Sequence, residues 1–142
     1  MSPRNWEQRV RDMIASARII LDFTAGMTFD AFLNNAQTIR AVAFEFTILG
    51  EAARAMPVEI QERFADVPWG KMQGIRNILI REYFRLDEEI LWNAVQQDIP
   101  QLITLFEEML LSEDTLAIRK SVEKVCPPLH PVWILSPHFT PR

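Results

Sequence analysis

The residues best able to do chemistry in this 142-residue chain lie in one short segment near its middle. Lys71, Arg76, Arg81 and Arg85 place four positive charges within fifteen residues, with only Glu82 as an acidic residue among them. The whole chain has a net charge of −4, so this basic segment belongs to an acidic protein. Because unspecific nucleic-acid binding draws its energy from many neutralised phosphates, the composition argues against it and predicts a local phosphate contact instead.

Other kinds of site have little support in the sequence. It has no glycine-rich phosphate loop, no His/Glu metal spacing and no paired carboxylates in a catalytic frame. The two histidines, His130 and His138, lie in a proline-rich stretch without a nearby acidic residue, and we interpret them as incidental exposed residues. The single cysteine, Cys126, cannot form an intramolecular disulfide or a thiolate metal cluster, which favours a reducing compartment.

The elements that position the basic segment are predicted to be helices. Apolar residues recur at spacings of three and four, which indicates an all-α fold, an up-and-down bundle of about five to six helices. We expect a first helix from Trp6 to Phe23 and a long second helix from Thr28 to about Ala53. A short third helix begins at Pro57, and the basic segment falls on a fourth helix that Trp69 opens and that ends near Phe84.

The remaining pattern predicts two more helices. Asp87 caps a fifth helix, and Asp98 with Pro100 begins a sixth. After about Glu113 the pattern weakens, and from Cys126 onward five prolines in seventeen residues prevent a continuous helix.

These differences divide the chain into two regions. Residues 1–112 form the helical bundle, and residues 113–142 form an irregular, proline-rich C-terminal tail. Because the chain begins with a charged stretch and has no run of about 18 apolar residues, we expect a cytoplasmic protein that does not contact the membrane.

The basic helix resembles a motif of the HEPN domains of HepT toxins. That motif is an arginine, usually followed by asparagine, then four residues, a histidine, any residue and a tyrosine. Residues 76–83 read R-N-I-L-I-R-E-Y, with arginine at the histidine position. Three further features match in order and spacing: ILGEAA at 48–53, VPW at 67–69 and DIP at 98–100. The resemblance covers about residues 6–110.

The resemblance implies the toxin of a toxin–antitoxin system, a metal-independent endoribonuclease that needs no cofactor and dimerises around one cleft. Such cleavage of tRNA or mRNA uses the neighbouring 2′-hydroxyl as nucleophile, and needs a proton-transferring group and a fixed positive charge. The resemblance also implies that Arg76 stabilises the phosphate, with Asn77 as a helper. Arg81 stays charged at pH 7 and cannot act as a general base, so we expect RNA binding with poor cleavage.

The resemblance also implies a form of regulation. In the family, the tyrosine that corresponds to Tyr83 is modified with AMP by a nucleotidyltransferase antitoxin of the MntA kind, which uses ATP. Tyr83 lies seven residues after Arg76, on nearly the same helix face, so an added nucleotide would block RNA by charge and by occupancy. Gly50, inside the long second helix, predicts the close approach of another backbone. Glu51, which follows it, could be a plain exposed glutamate, but the resemblance favours a pair with an arginine of the fourth helix.

Alternatives stay open at this point. Arg81 could be an inactivating replacement in a lethal toxin or the native residue of a degenerate homologue. In the second case the chain could be a non-catalytic helical adaptor or a substrate-binding subunit for a nucleotidyltransferase. Taken alone, Arg76 and Arg81 would be solvated charges, and Tyr83 a half-buried aromatic residue. Because the two arginines are about 140° apart on a straight helix, a shared site needs a helix end, a long reach or a second subunit.

Overall fold

The computed structural model describes residues 5–81 and 87–125, which form helices joined by short turns, with no strand among them. The helices are α1 (Trp6–Thr24), α2 (Phe29–Leu33), α3 (Ala36–Arg54), α4 (Val58–Arg63), α5 (Trp69–Arg81), α6 (Glu88–Asn93) and α7 (Ile99–Val125), with a π-helical turn at Ala94–Asp98. The predicted all-α bundle is confirmed. No helix of the described part is long and apolar enough to cross a bilayer.

The centre of the bundle is α3, which packs against both α1 and α5. Its buried residues recur at helical spacing and include Val42, Phe46 and Leu49, while α1 buries a matching stripe that includes Val10 and Met13. Each helix therefore presents one apolar face to a shared core. The central position of α3 fits its sequence, which is apolar on nearly every side.

The predicted long second helix is wrong, because the chain breaks at Asn34 and Asn35 into α2 and α3. The Asn35 side-chain oxygen accepts a hydrogen bond from the Thr38 backbone N–H at 3.0 Å, which caps α3. Asparagine is favoured at such caps because its short side chain replaces a missing backbone partner. Phe32 and Ile39 are buried on either side of the break, so the apolar stripe continues while the helix does not.

The predicted fifth and sixth helices begin where expected, as α6 after Asp87 and α7 at Ile99, but no break in helical structure separates them. The chain stays helical from Glu88 through the π turn into α7, and the Ile99 N–H donates to the carbonyl of Ala94, five residues earlier. Pro100 has no backbone N–H, so an ordinary α-turn would leave a carbonyl without its donor at this point. A π turn changes the hydrogen-bond register just before the proline and lets the helix continue. Asp87 caps α6 as expected, by accepting from the Glu89 and Ile90 N–H groups.

The predicted irregular tail is wrong for residues 113–125, because α7 continues to Val125. Leu, Ala, Arg, Lys and Glu are good helix formers, so this stretch forms a helix without burying an apolar face. The chain divides into two units, Met1–Leu110 and Leu111–Arg142. Cys126, His130 and His138 lie outside the described residues. The boundary at residue 112 between the helical bundle and a separate C-terminal region stays a prediction.

Candidate active site

Gly50 of α3 is the point where α5 comes closest. A Cβ atom at Gly50 would overlap the Cβ of Arg76 and lie 2.8 Å from the backbone oxygen of Met72. Only a residue without a side chain allows this approach, which explains a glycine in the interior of a helix, where it costs roughly 1 kcal/mol relative to alanine. The close packing fixes the base of the Arg76 side chain against α3.

The guanidinium of Arg76 is held by two neighbours. Its Nη2 lies 3.0 Å from Oε2 of Glu51, and its Nη1 donates to Oδ1 of Asn77 at 3.0 Å. The Arg76 side chain is 21% exposed and that of Glu51 is 54% exposed, so the pair lies at the edge of the bundle. The Nε of Arg76 is buried with no hydrogen-bond partner within the described part of the chain.

The structure thus brings together three residues that the sequence singled out. Glu51 follows the close-contact glycine on α3, and Arg76 with Asn77 lies opposite on α5. The expected contact between Glu51 and an arginine of this helix is present. The catalytic roles assigned to these residues stay predictions.

Arg81 does not join this cluster. It is the last residue of α5 that the structure describes, it is exposed, and it makes no hydrogen bond or ion pair with another described residue. Five residues along an α-helix correspond to about 7.5 Å of rise and a rotation of about 140°, so Arg76 and Arg81 leave the helix in different directions. Tyr83 and Arg85 lie outside the described residues.

Lys71 is part of the basic segment in sequence but is held elsewhere in the structure. Its Nζ lies 3.0 Å from Oδ1 and 2.9 Å from Oδ2 of Asp98, in the π turn. This ion pair joins the start of α5 to the end of the π turn. Lys71 therefore supports the packing of two elements rather than the charge around Arg76.

Large apolar side chains beside the cluster were missed by the sequence analysis. Phe44 lies two helical turns before Glu51 on the same face of α3 and is 64% exposed. Ile80 lies one turn after Arg76 on the same face of α5 and is 52% exposed. Their only sequence signal is that they fall outside the buried stripes of their helices. The edge of the bundle that carries Arg76 is thus partly apolar.

The arrangement can bind an anion but offers little for proton transfer. A fixed guanidinium is suited to a phosphate, because its N–H groups match phosphate oxygens in geometry and charge. No histidine occurs among residues 5–81 and 87–125, and these residues contain no cluster of His, Cys, Asp and Glu that could hold a metal ion.

The chain resembles known proteins over most of its length. Residues 13–109 match a family model described as Ribonuclease HepT-like. A candidate RNase of Methanocaldococcus jannaschii is 37% identical over 102 residues, which cover 72% of this chain and 94% of the relative. A candidate ribonuclease HepT of Thermococcus cleftensis is 32% identical over 106 residues, 75% of this chain and 96% of the relative. No solved structure matches the chain significantly. The chain belongs to the HepT-like ribonuclease family.

Proposed function

We propose that this chain is the toxin subunit of a toxin–antitoxin system, a HEPN-type endoribonuclease subunit that binds RNA at Arg76 but cleaves it poorly. The observation that carries the proposal is the placement of Arg76, which packing at Gly50 and the contact with Glu51 hold at the edge of the bundle. It stands at the first position of the motif that the family resemblance identified, five residues before Arg81.

Arg76 supplies the positive charge for cleavage without a metal. When the 2′-hydroxyl of RNA attacks the adjacent phosphorus, negative charge builds up on the phosphate oxygens in the transition state. A guanidinium that is already in place stabilises this negative charge, because no free energy is spent on reorienting it during the reaction. The carboxylate of Glu51 offsets part of the positive charge of Arg76. Asn77, which also contacts Arg76, helps to orient the guanidinium or the substrate.

Arg81 cannot supply the second requirement, which is proton transfer. An arginine side chain stays protonated at neutral pH, whereas histidine gains and loses a proton near pH 6.5. Loss of one acid–base group typically slows a reaction by about 10²- to 10⁴-fold. Because Arg81 is exposed and charged, it adds to the attraction for RNA while it removes most of the chemistry.

A homodimer would complete the cleft. Arg76 and Arg81 diverge on one straight helix, so a second copy is the simplest source of a converging group. Phe44 and Ile80 expose apolar surface beside Arg76, as expected of a face that a partner covers.

Substitution of Phe44 tests this dimer. Phe44→Asp places a charge in the centre of the proposed interface and should convert the dimer to a monomer at micromolar concentration, as measured by light scattering. Val58→Asp is the matched control, because Val58 is equally exposed but lies on α4. A dimer that persists in Phe44→Asp and dissociates in Val58→Asp would contradict the proposed face.

Regulation would act next to the same site. We propose that a nucleotidyltransferase antitoxin transfers AMP from ATP to Tyr83: the tyrosine oxygen bonds to the α-phosphorus and pyrophosphate leaves. The modification adds a negatively charged phosphodiester and an adenosine close to Arg76 in sequence. A negative phosphate would compete with RNA for the guanidinium, so the modified chain would lose RNA binding.

Restoration of histidine at position 81 tests the proposed function. Cells that express Arg81→His should stop growing and lose intact tRNA or mRNA, whereas Arg81→Lys and the unaltered chain should have little effect. Co-expression of a candidate nucleotidyltransferase should rescue growth, and adding Tyr83→Phe should abolish the rescue. If Arg81→His has no effect on growth or RNA, the ribonuclease proposal fails and a non-catalytic adaptor is favoured.

A further inference from the structure

The last part of α7 lies beyond the part of the chain that resembles the family. The family match ends at residue 109, although α7 continues to Val125. The two relatives named above are matched over 94% and 96% of their own lengths, but over 72% and 75% of this chain. The segment from Leu111 to Val125, here called the α7 extension, therefore lies beyond the residues that the family model matches.

The α7 extension has an exposed apolar stripe. Leu111, Ile118 and Val122 are 64%, 64% and 55% exposed, and Thr115 lies between them. The spacings of four, three and four residues are those of alternating a and d positions in a heptad repeat. On an α-helix these residues fall within an arc of about 60°, so they form one narrow seam.

Thr115 is compatible with such a seam. Its hydroxyl donates to the backbone oxygen of Leu111 at 2.9 Å, so the polar group is satisfied within the helix. Burial of the threonine against a partner would then leave no unpaired hydroxyl. Ser112 and Leu116, which lie outside this arc, are already partly covered.

Charges on the two sides of the seam indicate what covers it. Asp114 and Arg119 are both exposed and flank the stripe on opposite sides, at g and e positions of the heptad. They are five residues apart, which is the separation of the g and e residues that meet between two parallel helices. When the partner is an identical helix in parallel register, Asp114 of each copy faces Arg119 of the other.

We propose that the α7 extension pairs in parallel with the same segment of a second copy of this chain, as a short two-stranded coiled coil. The pairing would bury the stripe and form two symmetric Asp–Arg pairs. About two heptads are marginal in isolation, so the contact would act together with another contact between the copies. The proposal does not depend on whether the chain cleaves RNA.

Disulfide trapping tests the pairing and its direction. In the full chain with Cys126→Ser, Leu111→Cys places one thiol at a seam position where parallel, in-register helices bring the two copies together. Mild oxidation should convert most of this variant to a covalent dimer. Lys120→Cys in the same background is the control, because position 120 lies on the opposite side of the helix and should cross-link at least about tenfold more slowly.

Reversal of the flanking charges tests the same parallel geometry with the thiol kept at position 111. In the Leu111→Cys chain, Arg119→Glu should slow cross-linking by about three- to tenfold, because each Asp114 would then face a glutamate. Adding Asp114→Arg should restore the original rate. Equal cross-linking of Leu111→Cys and Lys120→Cys, or no restoration by the double reversal, would overturn the proposal. Either result would be expected if residues 126–142 or an unrelated protein covered the stripe.

Discussion

The two ends of the segment between Arg76 and Arg81 show how differently one residue type can be used on a single helix. Arg76 is held by backbone packing at Gly50 and by contacts with Glu51 and Asn77. Arg81 is exposed at the end of α5 and contacts no polar partner among the described residues. Tertiary structure therefore determines where the first arginine lies, but places almost no demand on the residue type at the second position. Under the proposed function, a change at position 81 would remove the proton-transferring group and leave the fold unaltered.

The largest effect that separates these two arginines is expected for cleavage itself. In the Arg81→His background, Arg76→Ala should lower the single-turnover rate of RNA cleavage by about 10²- to 10³-fold, because the transition state loses its fixed positive charge. Arg76→Lys should recover only part of this loss, since an ammonium cannot contact Glu51, Asn77 and a phosphate in the same geometry.

The control for this experiment is Arg54→Ala in the same background. Arg54 is an exposed residue near the end of α3, and its removal changes the net charge by the same amount. It should change the cleavage rate by less than about threefold at moderate salt. Equal losses for Arg76→Ala and Arg54→Ala would show that the position of Arg76 has no special role.

The next effect concerns the packing that holds Arg76. Gly50→Ala should lower the free energy of unfolding by about 1–3 kcal/mol, because the new methyl group overlaps Arg76 and the Met72 backbone and forces α3 and α5 apart. Gly74→Ala on α5 is the matched control, because nothing lies within 4 Å of a Cβ at that position. It should stabilise the protein by about 0.4–1 kcal/mol, since alanine loses less backbone freedom on folding.

Urea unfolding followed by circular dichroism measures both glycine variants. If Gly50→Ala is as stable as Gly74→Ala, the close approach of α3 and α5 is not a constraint on the bundle. If Gly50→Ala is destabilised and RNA binding falls with it, the packing and the placement of Arg76 are coupled, as the structure indicates.

The surroundings of Arg76 could be predicted in part from the sequence, because a glycine inside a helix lowers stability and therefore indicates a structural requirement at that position. A glycine inside an apolar helix predicted a close backbone contact, and the family resemblance favoured a pair between the adjacent glutamate and an arginine of α5. Both contacts are present. The apolar periodicity predicted the helical bundle, because residues buried on one face of a helix recur at every third or fourth position.

The features that sequence reasoning missed are those that leave the apolar period unchanged. The stripe runs through the break at Asn34 and Asn35, so only the caps reveal that α2 and α3 are separate helices. Beyond Glu113 the weak apolar pattern predicts irregular structure, but the chain forms an exposed helix there. Phe44 was missed because a helix contacted from several sides does not show in its sequence which side stays open.

The smallest expected effect tests what Glu51 contributes. The Glu51–Arg76 pair is partly exposed, so Glu51→Gln should change the free energy of unfolding by less than about 1 kcal/mol. RNA affinity should rise by about two- to fivefold at low salt, because a negative charge beside the phosphate site is removed while the packing at Gly50 still positions Arg76. Filter binding to a short RNA at two salt concentrations measures this change.

Glu59→Gln provides the matching loss of one negative charge on a different helix, α4. If affinity rises equally in Glu51→Gln and Glu59→Gln, the gain comes from net charge and not from the local pair. If Glu51→Gln weakens binding, the ion pair rather than the glycine contact positions the guanidinium. Two substitutions of the same type thus decide whether α3 holds Arg76 through its backbone or through its carboxylate.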